Sequence, residues 1–85
     1  MSDKFSRVLV RAYRDRVASL YCKGIYDDRI EVASEDESVV VRVPYEDVYQ
    51  FDAELQSRLE AAAAVGDEEL AHRLWAGASH VSEAA

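Results

Sequence analysis

The side chains in this 85-residue chain able to do chemistry are seventeen carboxylates, ten Lys and Arg, two histidines and one cysteine. Nucleophilic catalysis needs a Cys or Ser beside a His that a third group orients. Cys22 lies far in sequence from His72 and His80 with no local signature joining them, so it reads as a small, half-buried core thiol. One cysteine excludes an internal disulfide and a four-cysteine zinc site. His72 and His80 are eight residues apart, whereas helical zinc pairs use i,i+4 spacing, and each reads as a surface residue of a last helix. The acidic stretches Asp27-Asp28 and Glu35-Asp36-Glu37 offer oxygen ligands, but the spaced ligands and central Gly of a calcium loop are missing. Gly24, Gly66 and Gly77 are too scattered to cradle a phosphate. No pair of acids stands out for general acid–base work, and a chain this short has little room for a pocket once its core is built. The expectation is a protein that is not an enzyme and holds no metal or cofactor.

Charge distribution is more informative. The formal net charge is −7, which argues against a generally basic nucleic-acid binder. Residues 1–29 carry seven bases and four acids, whereas residues 30–85 carry three bases and thirteen acids. The split fits either a basic element lying on an acidic remainder or two surfaces with different partners. Between Glu31 and Glu54 stand eight acids (Glu31, Glu35, Asp36, Glu37, Glu46, Asp47, Asp52, Glu54) against one base, Arg42. Acids near helix starts are ordinary, which accounts for Glu46, Asp47, Glu68 and Glu69. Three like charges in a turn are harder to explain, because turns favour Gly and Asn.

The elements that position these charges follow from periodicity. Phe5, Leu9, Tyr13, Val17 and Leu20 recur at spacings of four and three, which predicts a first helix from Asp3 to Tyr21, capped by Ser2 or Asp3 and stopped at Gly24. Lys4, Arg7, Arg11 and Arg14 would form its opposite, basic stripe, with Arg16 discordant near the apolar side. Ser6–Arg14 and Ala18–Tyr26 also alternate as two strands; the helix is the preferred reading. Ile30 and Val32, then Val39, Val41 and Val43, alternate on either side of a polar turn and predict a β-hairpin ended by Pro44. Its valine face should pack on the first two helices, since a lone hairpin is marginal in water. Asp47 and Gln50 resemble a capping box opening a second helix, whose inward stripe is Val48, Phe51, Leu55, Leu59 and Ala62. Gly66 ends that helix, Asp67 caps a third, and Leu70, Leu74 and Val81 form the third's buried side. Trp75 stands at its edge, where the indole N–H can reach a partner. The expected fold is a small single α+β domain over residues 1–85, in the order helix, β-hairpin, helix, helix, with 1–2 and 82–85 frayed.

No apolar run reaches the roughly 18 residues of a membrane span, and the N-terminus lacks a signal-peptide pattern. With one cysteine, these features give a cytoplasmic expectation. The leading functional expectation is a small acidic inhibitor or adaptor that binds a basic, nucleic-acid-handling site on a partner protein by imitating a phosphate track. Small phage anti-defence proteins, anti-CRISPR inhibitors among them, and antitoxin-like proteins use that strategy; the similarity is of size and charge, and no residue motif assigns the chain to a family. One alternative is a homo-oligomeric subunit, such as a homodimer, with Tyr26, Tyr45, Tyr49 and Trp75 as aromatic contacts. A further alternative is a regulator that binds nucleic acid through the basic first helix.

Overall fold

A computed structural model describes residues 6–81 of the chain. Five antiparallel strands precede two helices: β1 (Arg7–Arg11), β2 (Val17–Ile25), β3 (Arg29–Ala33), β4 (Val40–Pro44), β5 (Val48–Gln50), α1 (Ala53–Ala64) and α2 (Glu68–Ala76). The strands form one sheet in the order β4-β3-β2-β1-β5. The fold is α+β, but the helix-first order is corrected: the stretch expected to be one helix is a β-hairpin. Leu9, Tyr13 and Val17 are four apart, an even spacing that suits a period of two as well as 3.6. Val8, Val10 and Val17 are β-branched and settle the choice toward strand. The proposed caps Ser2 and Asp3, Lys4 and Phe5 of the expected helix, and the proposed frayed ends all lie outside the described residues.

The order of strands forces the sheet to curl. A flat five-stranded sheet would hold β4 and β5 about 19 Å apart, at about 4.8 Å per neighbour. Yet only a 3₁₀ turn, Tyr45–Asp47, separates Pro44 from Val48, and four residue steps reach at most about 14 Å. The two edges must therefore approach, as in an incompletely closed barrel. A bulge in β2 between Cys22 and Gly24 helps the bend: residues up to Tyr21 pair with β1 and those from Tyr21 onward pair with β3.

Curling gives the sheet two cores. Inside the curl, Val8, Val10, Ile30, Val32 and Val48 are buried, joined by Ala18, Leu20, Cys22, Val43, Tyr45 and Val81. On the outer face, Leu9 and Tyr49 pack beneath the helices with Leu59, Ala62, Ala71 and Trp75. The hairpin's buried side therefore faces the interior of the curl rather than the helices, which corrects the expected packing. Gly24, expected as a helix stop, belongs instead to the β2 bulge.

Helix α1 begins later than the expected Asp47, because Val48–Gln50 pairs with β1. Its cap is Asp52, whose carboxylate accepts from the Glu54 and Leu55 amides at 3.0 and 3.2 Å. The Asp47–Gln50 capping box is not formed. The α1–α2 joint follows expectation: Gly66 takes a left-handed φ of 73°, and the Asp67 side chain accepts from the Leu70 amide at 3.0 Å. Leu70 itself is exposed rather than buried, because α2 turns Ala71, Leu74 and Trp75 inward. Trp75 reaches a partner as expected, its Nε1–H donating to the Asp15 carbonyl at 2.8 Å. After α2 the chain returns to the sheet, where the Gln50 amide donates to the Ser79 carbonyl at 2.8 Å and His80 bridges Tyr49. This return covers the free side of β5.

Candidate functional site

The eight acids do not share one surface. Glu35, Asp36 and Glu37 sit in the β3–β4 turn, which closes with the Ser34 amide donating to the Val39 carbonyl at 2.9 Å. Asp36 builds the turn: its carboxylate accepts from the Ser38 amide at 3.0 Å and from the Ser34 hydroxyl at 2.9 Å. These bonds, the Ser38 backbone first, hold its carboxyl below the usual aspartate range. Glu37 adopts a left-handed φ of 60°, unusual for a residue with a Cβ. Its carboxylate lies 2.6 Å from Lys23 Nζ, a hydrogen bond that raises the lysine's pKa. Glu35 is exposed, with no ion pair among the described residues. Glu31 lies on the same hairpin, 3.6 Å from Arg42.

Glu46 and Asp47 stand in the 3₁₀ turn at the opposite end of β4. That five-residue strand spans about 17 Å at about 3.3 Å per residue. Asp52 is committed to capping α1, and Glu54 to a pair with Arg58 at 2.6 Å. The acid-rich segment thus resolves into a hairpin group, Glu31 with Glu35–Glu37, a separate pair at the far end of β4, Glu46 and Asp47, and two carboxylates engaged on α1, Asp52 and Glu54.

Beside the acidic turn runs β4, a strand the valine alternation predicts but whose exposed apolar edge sequence reading missed. Val39, Val40 and Val41 are 51%, 42% and 43% exposed, a run of large apolar side chains beside an edge. The sequence did carry a signal: Val39-Val40-Val41 breaks the alternation expected of a strand with one buried face. Tyr26 is also exposed, and the Arg42 guanidinium stacks 5.0 Å from its ring centroid. The Tyr45 hydroxyl donates to the Tyr26 carbonyl, tying the 3₁₀ turn to the β2–β3 connection.

The other sequence candidates are placed differently. Tyr49 and Trp75 are core residues, 3% and 1% exposed, with ring centroids 4.6 Å apart. Tyr45 packs against the interior of the curl, leaving Tyr26 as the exposed member of the aromatic set. Of the basic stripe, Arg7 lies 4.2 Å from the Phe51 ring centroid and donates to Ser19 Oγ at 2.8 Å. The Arg11 Nε–H donates to Asp15 at 2.7 Å, a bond that raises the arginine's pKa, and its Nη2 is 3.1 Å from His72 Nδ1. Arg14 stands 3.8 Å from Glu68. These arginines serve contacts within the fold.

Cys22 is partly buried against the inner core, and desolvation pushes its thiol pKa up, away from the thiolate form a nucleophile needs. Among the described residues no three His, Cys, Asp or Glu side chains gather as a metal site, and no helix is long and apolar enough to cross a membrane. A cleft of about 70 Å³ lies between Arg14–Arg16 and the α1–α2 joint, and a second depression of about 300 Å³ is lined by Arg16, Val17, Glu60, Ala63 and Ala64. Comparison of the chain with protein-family models, curated proteins and solved structures finds no match.

Proposed function

We propose that this chain is a non-catalytic protein-binding adaptor or inhibitor that engages a basic site on a partner through its β3–β4 hairpin. The observation that carries this reading is the juxtaposition at the hairpin of an acidic turn, Glu35–Glu37, with the exposed Val39–Val41 run. Valines supply area to desolvate, while the carboxylates steer a basic partner and reject acidic ones. A nucleic-acid-handling protein fits this description, because its binding groove presents cations meant for phosphates. The hairpin carries the reading in place of a continuous acidic track, since Asp52 caps α1, Glu54 pairs with Arg58, and Glu46 and Asp47 lie at the opposite end of β4. Nucleic-acid binding by a basic first helix loses its support, because the helix is absent and its arginines are engaged within the fold.

Affinity capture from a lysate of the source or its host tests the reading. The wild type runs beside a Glu35→Lys/Asp36→Lys/Glu37→Lys variant, each washed at low and then moderate salt. The expected result is a basic protein held by wild type, weakened at moderate salt and lost by the variant, with the variant's thermal unfolding showing that it still folds. Equal capture of the same proteins by both forms contradicts the reading.

A further inference from the structure

We infer that the outer edge of β4 takes up an extended, alternately apolar and basic segment of the partner as an added antiparallel or parallel strand. The inference rests on the proposed function and gives it a main-chain mode.

Hydrogen-bond alternation shows what the edge offers. In an antiparallel pair, successive residues turn their N–H and C=O groups alternately toward and away from the neighbour. The Ser34 amide bonds the Val39 carbonyl, so Val39, Val41 and Val43 face β3. The register pairs Val32 with Val41 and Ile30 with Val43. On the far side of β3, the Arg29 carbonyl accepts from the Tyr26 amide at 2.9 Å, the opposite direction that the alternation requires. Val40 and Arg42 therefore present their N–H and C=O outward, where no partner is found among the described residues.

This edge differs from the other. The Ser79–His80 return covers β5, whereas β4 pairs, among the described residues, only with β3. An edge strand with open main-chain groups is a template for another strand unless charges, proline or a covering segment blunt it. Here Pro44 and Arg42 occupy one end and three exposed valines the other. A strand docking here meets Val39 and Val41 on one face and Val40 on the other, so an alternating segment can lay its single apolar face against either. Glu35 at the adjoining turn, exposed and with no ion pair among the described residues, selects cations in that segment. A second copy of this chain carries the same net charge of −7, which opposes its approach.

The probe is an acetylated, amidated Lys-Val-Lys-Val-Lys-Val-Lys peptide titrated into the ¹⁵N-labelled full chain, with Glu-Val-Glu-Val-Glu-Val-Glu as the control. Binding of the lysine peptide should shift the Val40 and Arg42 amides and slow their exchange with solvent, and the acidic peptide should do neither. Val40→Pro removes an N–H that points away from β3, so the β3 ladder persists while peptide affinity falls at least tenfold. A peptide N-methylated at alternate residues removes donors without altering the protein; methylation in one of the two phases should abolish binding. Shifts confined to Glu35–Glu37, with binding unchanged by Val40→Pro and by methylation in either phase, overturn strand addition while leaving the charged contact intact. No peptide binding, or a concentration-dependent dimer that Val40→Pro dissolves, overturns the assigned occupant. Loss of the captured partner on charge reversal but not on Val40→Pro defeats this inference alone; failure of charge reversal defeats the proposed function itself.

Discussion

Trp75→Ala should destabilise the protein by about 3–5 kcal/mol, the usual range for emptying a buried aromatic site. Domains are typically stable by only about 5–15 kcal/mol, so the variant loses a large share of its stability and its urea midpoint falls accordingly. The ring is 1% exposed and packs with Leu9, Leu59, Ala62 and Ala71. It also lies tilted at 42° against Tyr49, a contact type worth about 0.5–1.5 kcal/mol beyond area burial. Its N–H holds the Asp15 carbonyl in a turn where Arg14 and Asp15 both adopt left-handed backbone, φ 61° and 60°. Those conformations are costly for residues with a Cβ, and the indole is one of the contacts that keep them. Trp75→Phe retains most of the volume but loses the donor, with an expected cost of about 1–3 kcal/mol. Urea unfolding followed by far-ultraviolet circular dichroism measures both, since Trp75 is the sole tryptophan and fluorescence would vanish with it. A loss below about 1 kcal/mol for Trp75→Ala would remove the helix–sheet core from this account.

The second large effect tests the curl. Ile30→Ala should cost about 2–5 kcal/mol, because Ile30 is fully buried with Val8, Val10, Val32 and Val48. Val41, in register with Val32 and projecting from the same face, is 43% exposed, and its truncation to Ala should cost well under half as much. The comparison is diagnostic, because α1 and α2 cover only the opposite face. Were the sheet flat, Ile30 and Val41 would both face solvent and behave alike. Chemical unfolding of the two variants side by side reads the difference directly.

The same residues show what was legible in the sequence. Valine alternation on either side of a charged turn located the β3–β4 hairpin, and Pro44 marked its end. Gly66 and Asp67 located the joint between helices, because a left-handed stop followed by a carboxylate cap is a local requirement that leaves a local signature. The Leu9-to-Val17 spacing misleads because steps of four are even: a strand and a helix both bring such residues to one face. Its spacing places Val48 in a helix stripe, yet it is buried within the curl, and no neighbouring residue announces its pairing with Val10, which lies far away in sequence. The candidate site was half visible. The acidic turn could be read from composition, whereas the open edge of β4 depends on Ser79–His80 covering β5 instead, a tertiary outcome. Tyr49 and Trp75 were reasonable contact candidates by residue type, and only their burial removes them.

The most direct measurement of the central claim is site-specific photocrosslinking in a lysate of the source or its host. A benzophenone amino acid replaces Val40 on the exposed hairpin edge or, in a second protein, Leu70 on the exposed side of α2. A discrete adduct is expected from position 40 to a basic segment of a partner protein, suppressed by salt, and none from position 70. Adducts from position 70 alone, or identical adducts from both positions, would contradict the claim.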